Sequence, residues 1–191
     1  MVRRVQVPLL EATLDSFAPY GVLVGDNEAA AGQGRPSQHY AAVRVCPPAQ
    51  PFESDADTTM VVLCYEPRPL EVEFMERHYK HTQTFIPLEG KPLIGFFAPP
   101  NNKDEPDLHK IVAFRFDGSA GFQMHKGTWH EQPFPVVPGT KAICVLRAET
   151  IRELKPTNAE TGECHGEDIS KLNILSRHNI VFTTATPLGK L

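Results

Sequence analysis

Eighteen prolines and thirteen glycines are spread through this 191-residue chain, which leaves little room for long helices. Each proline removes a backbone donor, and each glycine weakens a helix interior. Between them lie short runs rich in β-branched and aromatic residues, at 60–65, 84–88, 93–98, 110–116 and 141–146. Residues 111–116 partly alternate apolar with polar, as a strand with one buried face does. Many short strands separated by turn signals predict an all-β barrel or sandwich, with residues 1–191 as a single domain. Two helical stretches interrupt the pattern. Residues 10–20 carry Leu10, Leu14 and Phe17 on one stripe with Pro19 closing it, and 148–154 fit a single turn. Residues 25–37 read as an exposed loop, 99–107 as a hairpin loop, 156–171 as a second long polar excursion and 179–184 as a last strand.

The net charge of −4, without a stripe of Lys and Arg, argues against a nucleic-acid partner. No apolar run approaches the roughly 20 residues that span a bilayer, and the N-terminus lacks a signal-peptide core. The expectation is a cytoplasmic protein without a membrane partner. Cys46, Cys64, Cys144 and Cys164 show neither zinc-ribbon nor redox spacing. Cys64 and Cys144, inside apolar runs, read as small buried hydrophobes, and Cys164 as a residue of a polar loop.

Two segments carry chemistry. The first contains Glu76, Arg77, His78, His81, Gln83 and the turn Glu89-Gly90; the second runs Met124-His125-Lys126-Gly127-Thr128-Trp129-His130. On facing strands they would point His78, Gln83 and His130 into one cavity, a nitrogen-and-oxygen set suited to a divalent metal or an anionic substrate. His130 leads as base or metal ligand. His125 lies five residues earlier, on the other side of an unbroken strand, unless Gly127 allows a bulge. Arg77 and Lys126 are candidate partners for a substrate carboxylate, although each neighbours an inward residue and alternation turns it outward. His39, His109, His165 and His178 read as surface or structural. Trp129, Phe85, Phe96, Phe114 and Phe116 read as buried aromatics.

The segments together resemble the two metal-binding motifs of cupins, in modified form. Glu76 stands where a cupin has the first His of His-x-His, Gln83 where it has Glu, and Lys126 where the second motif has Pro. The form Glu76-Arg77-His78 followed by Thr82-Gln83-x-Phe85-Ile86-Pro87, with Trp129-His130 later, is similar to the ureidoglycolate lyase family. The opening Asp15-x-Phe17-x-x-Tyr20-Gly21 fits as well, and the likeness extends from about residue 5 to 146. The run Glu131-Gln132-Pro133-Phe134-Pro135 departs from the expected His-Pro-Leu, and the tail from 156 is longer than usual.

The resemblance implies a cupin-like double-stranded β-helix barrel with a short N-terminal helix, a tendency to form homodimers, and cleavage of ureidoglycolate to glyoxylate and urea in allantoin breakdown. It also implies a small carboxylate substrate and a divalent metal such as nickel or manganese, held by Glu76, His78, Gln83 and His130. Gln83 is neutral and weakens the set. Catalytic roles fall to His130, His78 and His125, and substrate binding to Arg77, Lys126 and Gln83. Two alternatives stay open: a cupin isomerase or oxygenase acting on another hydroxy or keto acid, and a barrel that binds a metabolite without turning it over.

Overall fold

The computed structural model describes residues 1–25, 35–36, 42–45, 51–155 and 157–185. The expected loop at 25–37 and Cys46 lie largely outside the described residues. Two larger sheets make the body. One has the spatial order Cys164–His165, Ile169–Asn173, Phe74–His78, Trp129–His130, Leu93–Ala98, Val112–Phe116 and Leu9–Glu11, with Phe134–Pro135 also on the Leu93–Ala98 strand. The other is ordered Gly21–Val24, Gly121–Met124, Gln83–Pro87, Lys141–Arg147 and Thr58–Cys64. A three-stranded sheet of Arg3–Gln6, Ile180–Thr183 and Glu71–Val72 brings both ends of the chain together. The all-β architecture agrees with the expectation. The loop 99–107 joins the antiparallel pair Leu93–Ala98 and Val112–Phe116, and Glu89 and Gly90, with φ of 59° and 64°, turn the chain between Gln83–Pro87 and Leu93–Ala98.

Two apolar cores result. Between the two larger sheets, Phe97, Phe114 and Phe116 meet Phe85, Phe122, Met124 and Leu146. On the outer face of the larger sheet, Met75, Ile94, Phe96, Trp129 and Leu172 pack with Val72, Ile180 and Phe182 of the small sheet. Phe17 seals one end of the inner core, edge-on to Phe97, Phe114 and Phe116 at centroid distances of 5.2–5.4 Å.

Three expectations need correction. The first helix covers only Leu14–Phe17, opened by a Thr13–Ser16 capping box, while Leu9–Glu11 is a strand parallel to Val112–Phe116. Leu10 belongs to that strand, so the stripe was never one helix face. Cys64 is exposed because it sits on an outward position of a strand at the sheet edge, whereas Cys144 is buried as expected. The stretch 156–171 is not a loose excursion: it holds the strand Cys164–His165 and the start of Ile169–Asn173, which pairs with Phe74–His78. Cys164 is accordingly buried, its thiol donating to the Glu153 carbonyl at 2.6 Å.

The packing of Phe17 makes a test. Phe17→Ala is expected to cost about 3–5 kcal/mol in urea unfolding. Leu14→Ala, on the exposed side of the same turn, should stay within about 0.5 kcal/mol. Equal, small losses would contradict the sealing role.

Candidate active site

The strand Phe74–His78 is held on both sides. Glu76 lies directly opposite His130 on one neighbour and Lys171 on the other, and His78 lies opposite Ile169. Side chains alternate along a strand, so Glu76 and His78 share a face and Met75 and Arg77 take the other. His130 pairs with Phe97, a member of the inner core, which sets the shared face toward the interior between the sheets. Glu76, His78 and His130 are each 3% exposed or less.

Their reactive atoms converge. His130 Nε2 is 3.5 Å and His78 Nε2 is 3.9 Å from the same Glu76 oxygen, Oε1. The His78 and His130 rings are 5.3 Å apart. A turn over 125–128 fixes His130: Gly127, at φ 78°, donates its N–H to the His78 carbonyl at 2.7 Å, and Thr128 Oγ1 donates to the Tyr20 carbonyl at 2.8 Å. The Thr128 carbonyl then takes His130 Nδ1–H at 3.0 Å. A carbonyl can only accept, so in neutral His130 the Nε2 lone pair faces Glu76.

Two acceptors aimed at each other in a buried site are unfavourable unless a positive charge lies between them. A proton meets that demand, and so does a divalent cation. Among the described residues, neither nitrogen of His78 nor Nε2 of His130 has a hydrogen-bond partner. A metal–ligand bond of about 2.1 Å sets ligand atoms roughly 3.0–3.4 Å apart, so an ion would draw these groups together from the 3.5 and 3.9 Å seen here. The donor set therefore fits an ion: one carboxylate and two imidazoles suit nickel, manganese or zinc. Burial resists the charge on Glu76, but His130 at 3.5 Å, with His78 and Lys171, outweighs it and holds the carboxyl near 2. Burial first, then the neighbouring imidazoles, push His78 down to about 3, against the pull of Glu76 and Asp168.

Gln83 is buried on the facing sheet at an inward position in step with Phe85, and its Oε1 has no partner. The other candidates lie elsewhere. Arg77 is buried on the opposite face, over the Trp129 ring at 4.4 Å and bonded to the Asn101 carbonyl at 3.2 Å. Lys126 is partly exposed and paired with Glu53 at 2.7 Å. His125 is exposed, with Nε2 3.1 Å from the Ala18 carbonyl. A cleft of about 380 Å³ beside the same strand, walled by Arg68, Glu131 and Lys171, includes none of the three converging residues.

The sequence reading missed a second group against the first. Asp168 Oδ2 is 2.8 Å from His81 Nδ1 and 3.8 Å from His78 Nδ1, and the His78 and His81 rings are 4.6 Å apart. Asp168 stood inside what read as a polar excursion. The only hint was the Ile169-Ser170-Lys171-Leu172 run behind it, whose apolar residues do not alternate.

Residues 4–161 match the family model described as ureidoglycolate lyase. A protein of that name from Azotobacter vinelandii is 29% identical over 136 residues, covering 70% of this chain and 80% of the relative. Another from Pseudomonas savastanoi pv. phaseolicola is 30% identical over 123 residues, 62% and 69% of the two chains. A third from Stutzerimonas stutzeri is 31% identical over 139 residues, 71% and 79%.

Burial of neutral His78 predicts acid lability. The unfolded chain takes up this proton as pH falls below 6.5, while the folded protein resists until about 3. Stability contributed here is thus full above 6.5 and drains as pH falls through that window. In chelator-treated protein the unfolding free energy should drop between pH 6.5 and 5 by up to about 1.4 kcal/mol per pH unit. His78→Asn should flatten that slope; an unchanged slope would show that His78 is not held neutral.

Proposed function

We infer the activity from one established premise: this chain belongs to the ureidoglycolate lyase family. It is a lyase that cleaves ureidoglycolate to glyoxylate and urea. The observation that carries the reading is the convergence of Glu76, His78 and His130 inside the barrel, on the strands bearing the two motifs.

Ureidoglycolate carries a hydroxyl, a carboxylate and a ureido nitrogen on one carbon. Cleavage removes the hydroxyl proton, turns that C–O bond into the aldehyde of glyoxylate, and breaks the C–N bond. The electron pair leaves with nitrogen, which a proton completes as urea. His130 suits the first step: its Nδ1–H is spent on Thr128, so Nε2 presents a lone pair at the interior, with Glu76 3.5 Å away to stabilise the imidazolium formed. The unpartnered Oε1 of Gln83 offers an acceptor for a ureido N–H. Burial excludes water and strengthens each of these contacts. A divalent ion, nickel or manganese in this proposal, would be held by Glu76, His78 and His130 with Gln83 as a weaker fourth donor; it would take up the His130 lone pair and supply Lewis-acid polarisation of the hydroxyl and carboxylate in place of that base. Arg77, Lys126 and His125 have no part in this reading. A cytoplasmic homodimer without a nucleic-acid partner belongs to the same proposal, supported by the family likeness and the charge of −4. No helix among the described residues is long and apolar enough to cross a membrane.

Release of urea and glyoxylate from racemic ureidoglycolate tests the proposal, with and without added nickel or manganese. His130→Ala and His78→Ala should each lower kcat/KM by about 100-fold or more. No release above the spontaneous background from folded, metal-supplied wild type would sink this substrate.

A further inference from the structure

His78 faces acceptors on both of its ring nitrogens. Nε2 points at Glu76 Oε1, 3.9 Å away, and Nδ1 at Asp168 Oδ2, 3.8 Å away. Neither contact is a hydrogen bond, but a neutral imidazole carries one proton, so it turns an N–H toward one carboxylate and a lone pair toward the other. Which side wins decides whether His78 adds a lone pair to the Glu76–His130 cluster or an N–H.

Asp168 is fixed behind the His78 ring by its own contacts. Its side chain is wholly buried. Oδ1 accepts the Lys80 N–H at 2.7 Å, and Oδ2 accepts the Thr150 hydroxyl at 2.5 Å, with His81 Nδ1 at 2.8 Å. Its own N–H donates to Glu153 Oε2 at 3.0 Å, and its carbonyl accepts the Tyr79 N–H at 2.8 Å. The contacts from Tyr79 and Lys80 tie it to the two residues that follow His78, which holds the carboxylate beside the ring. His78, His81 and Asp168 also lie at the spacing of metal ligands. Protons explain that group better, because Asp168 already accepts from the Lys80 N–H and the Thr150 hydroxyl.

We propose that Asp168 is a positioning residue that commits His78 to its Nδ1–H form and so turns the Nε2 lone pair toward Glu76 and His130. A carboxylate behind a metal-ligating histidine commonly sets its tautomer and basicity. Asp168 lies beyond residues 4–161, the stretch matched by the family model, so the C-terminal segment supplies part of the site through a residue outside that match. The inference deepens the proposed lyase site and rests on it only for the metal.

Two readouts decide it. In metal-free, ¹⁵N-histidine-labelled wild type at pH 7.5, long-range ¹H–¹⁵N correlation should show His78 protonated on Nδ1. Asp168→Asn should move it toward the Nε2–H form. Calorimetric titration with nickel should then be about 10–100-fold weaker for Asp168→Asn than for wild type. Thr150→Val, which removes a contact but leaves the carboxylate, should change nickel affinity by less than about threefold. A wild-type His78 protonated on Nε2 overturns the proposal, and that measurement needs no variant to fold. A folded Asp168→Asn with unchanged tautomer and affinity overturns it as well, as would equal losses in both variants. Wild type that holds the Nδ1–H form but binds no nickel supports the positioning role and removes only the metal from the preceding proposal.

Discussion

Glu76 is a carboxylate with almost no access to water, and everything around it is arranged to keep its charge tolerable. Isolated in an apolar interior such a charge would cost several kcal/mol. Here the strand pairing delivers partners: His130 sits directly across from Glu76, Lys171 lies across on the other neighbour, and His78 follows on the same face. The cost of burying one acid is offset only while these groups stay in register. A one-residue slip would exchange Glu76 and His78 for Met75 and Arg77, and would destroy the site and the outer core together.

The division of the interior follows from the same register. The inner face of the larger sheet carries Phe97, Phe114 and Phe116 on its outlying strands and the polar cluster on its central ones. The aromatic end gives rigidity, with edge-on contacts around Phe17. The polar end gives chemistry, and its acceptors face one another as groups do where a cation or proton is to be handled. On the outer face, Arg77 spreads over Trp129 and braces the strand from behind. A substitution there would act on the site through the backbone of Glu76 and His78.

Much of this was legible along the chain, for identifiable reasons. Strands such as Leu93–Ala98 and Lys141–Arg147 announce themselves by local composition, and strand alternation correctly turns Arg77 away from Glu76 and His78. Leu9–Glu11 was not legible, because its partner lies at Val112–Phe116, about a hundred residues on, and the local stripe through Leu14 and Phe17 imitates a helix. Cys64 misled because an apolar run does not reveal which of its faces lies at a sheet edge. Asp168 was hidden by its surroundings. Residues 156–168 are polar and read as loop, yet the backbone of Ile169–Asn173 pairs with Phe74–His78 through five residues and delivers Asp168 to His81 and His78. Pairing of that kind is decided by the partner strand and leaves little periodicity of its own.

The central claim is that Glu76, His78 and His130 form one cation site inside the barrel, and anomalous scattering tests it most directly. Crystals grown with nickel or manganese, measured on either side of the metal's absorption edge, should show a single strong peak. It should lie within about 2.0–2.2 Å of Glu76 Oε1 and of the Nε2 atoms of His78 and His130. A peak between His78, His81 and Asp168, or no interior peak in crystals that hold the metal elsewhere, would contradict the account.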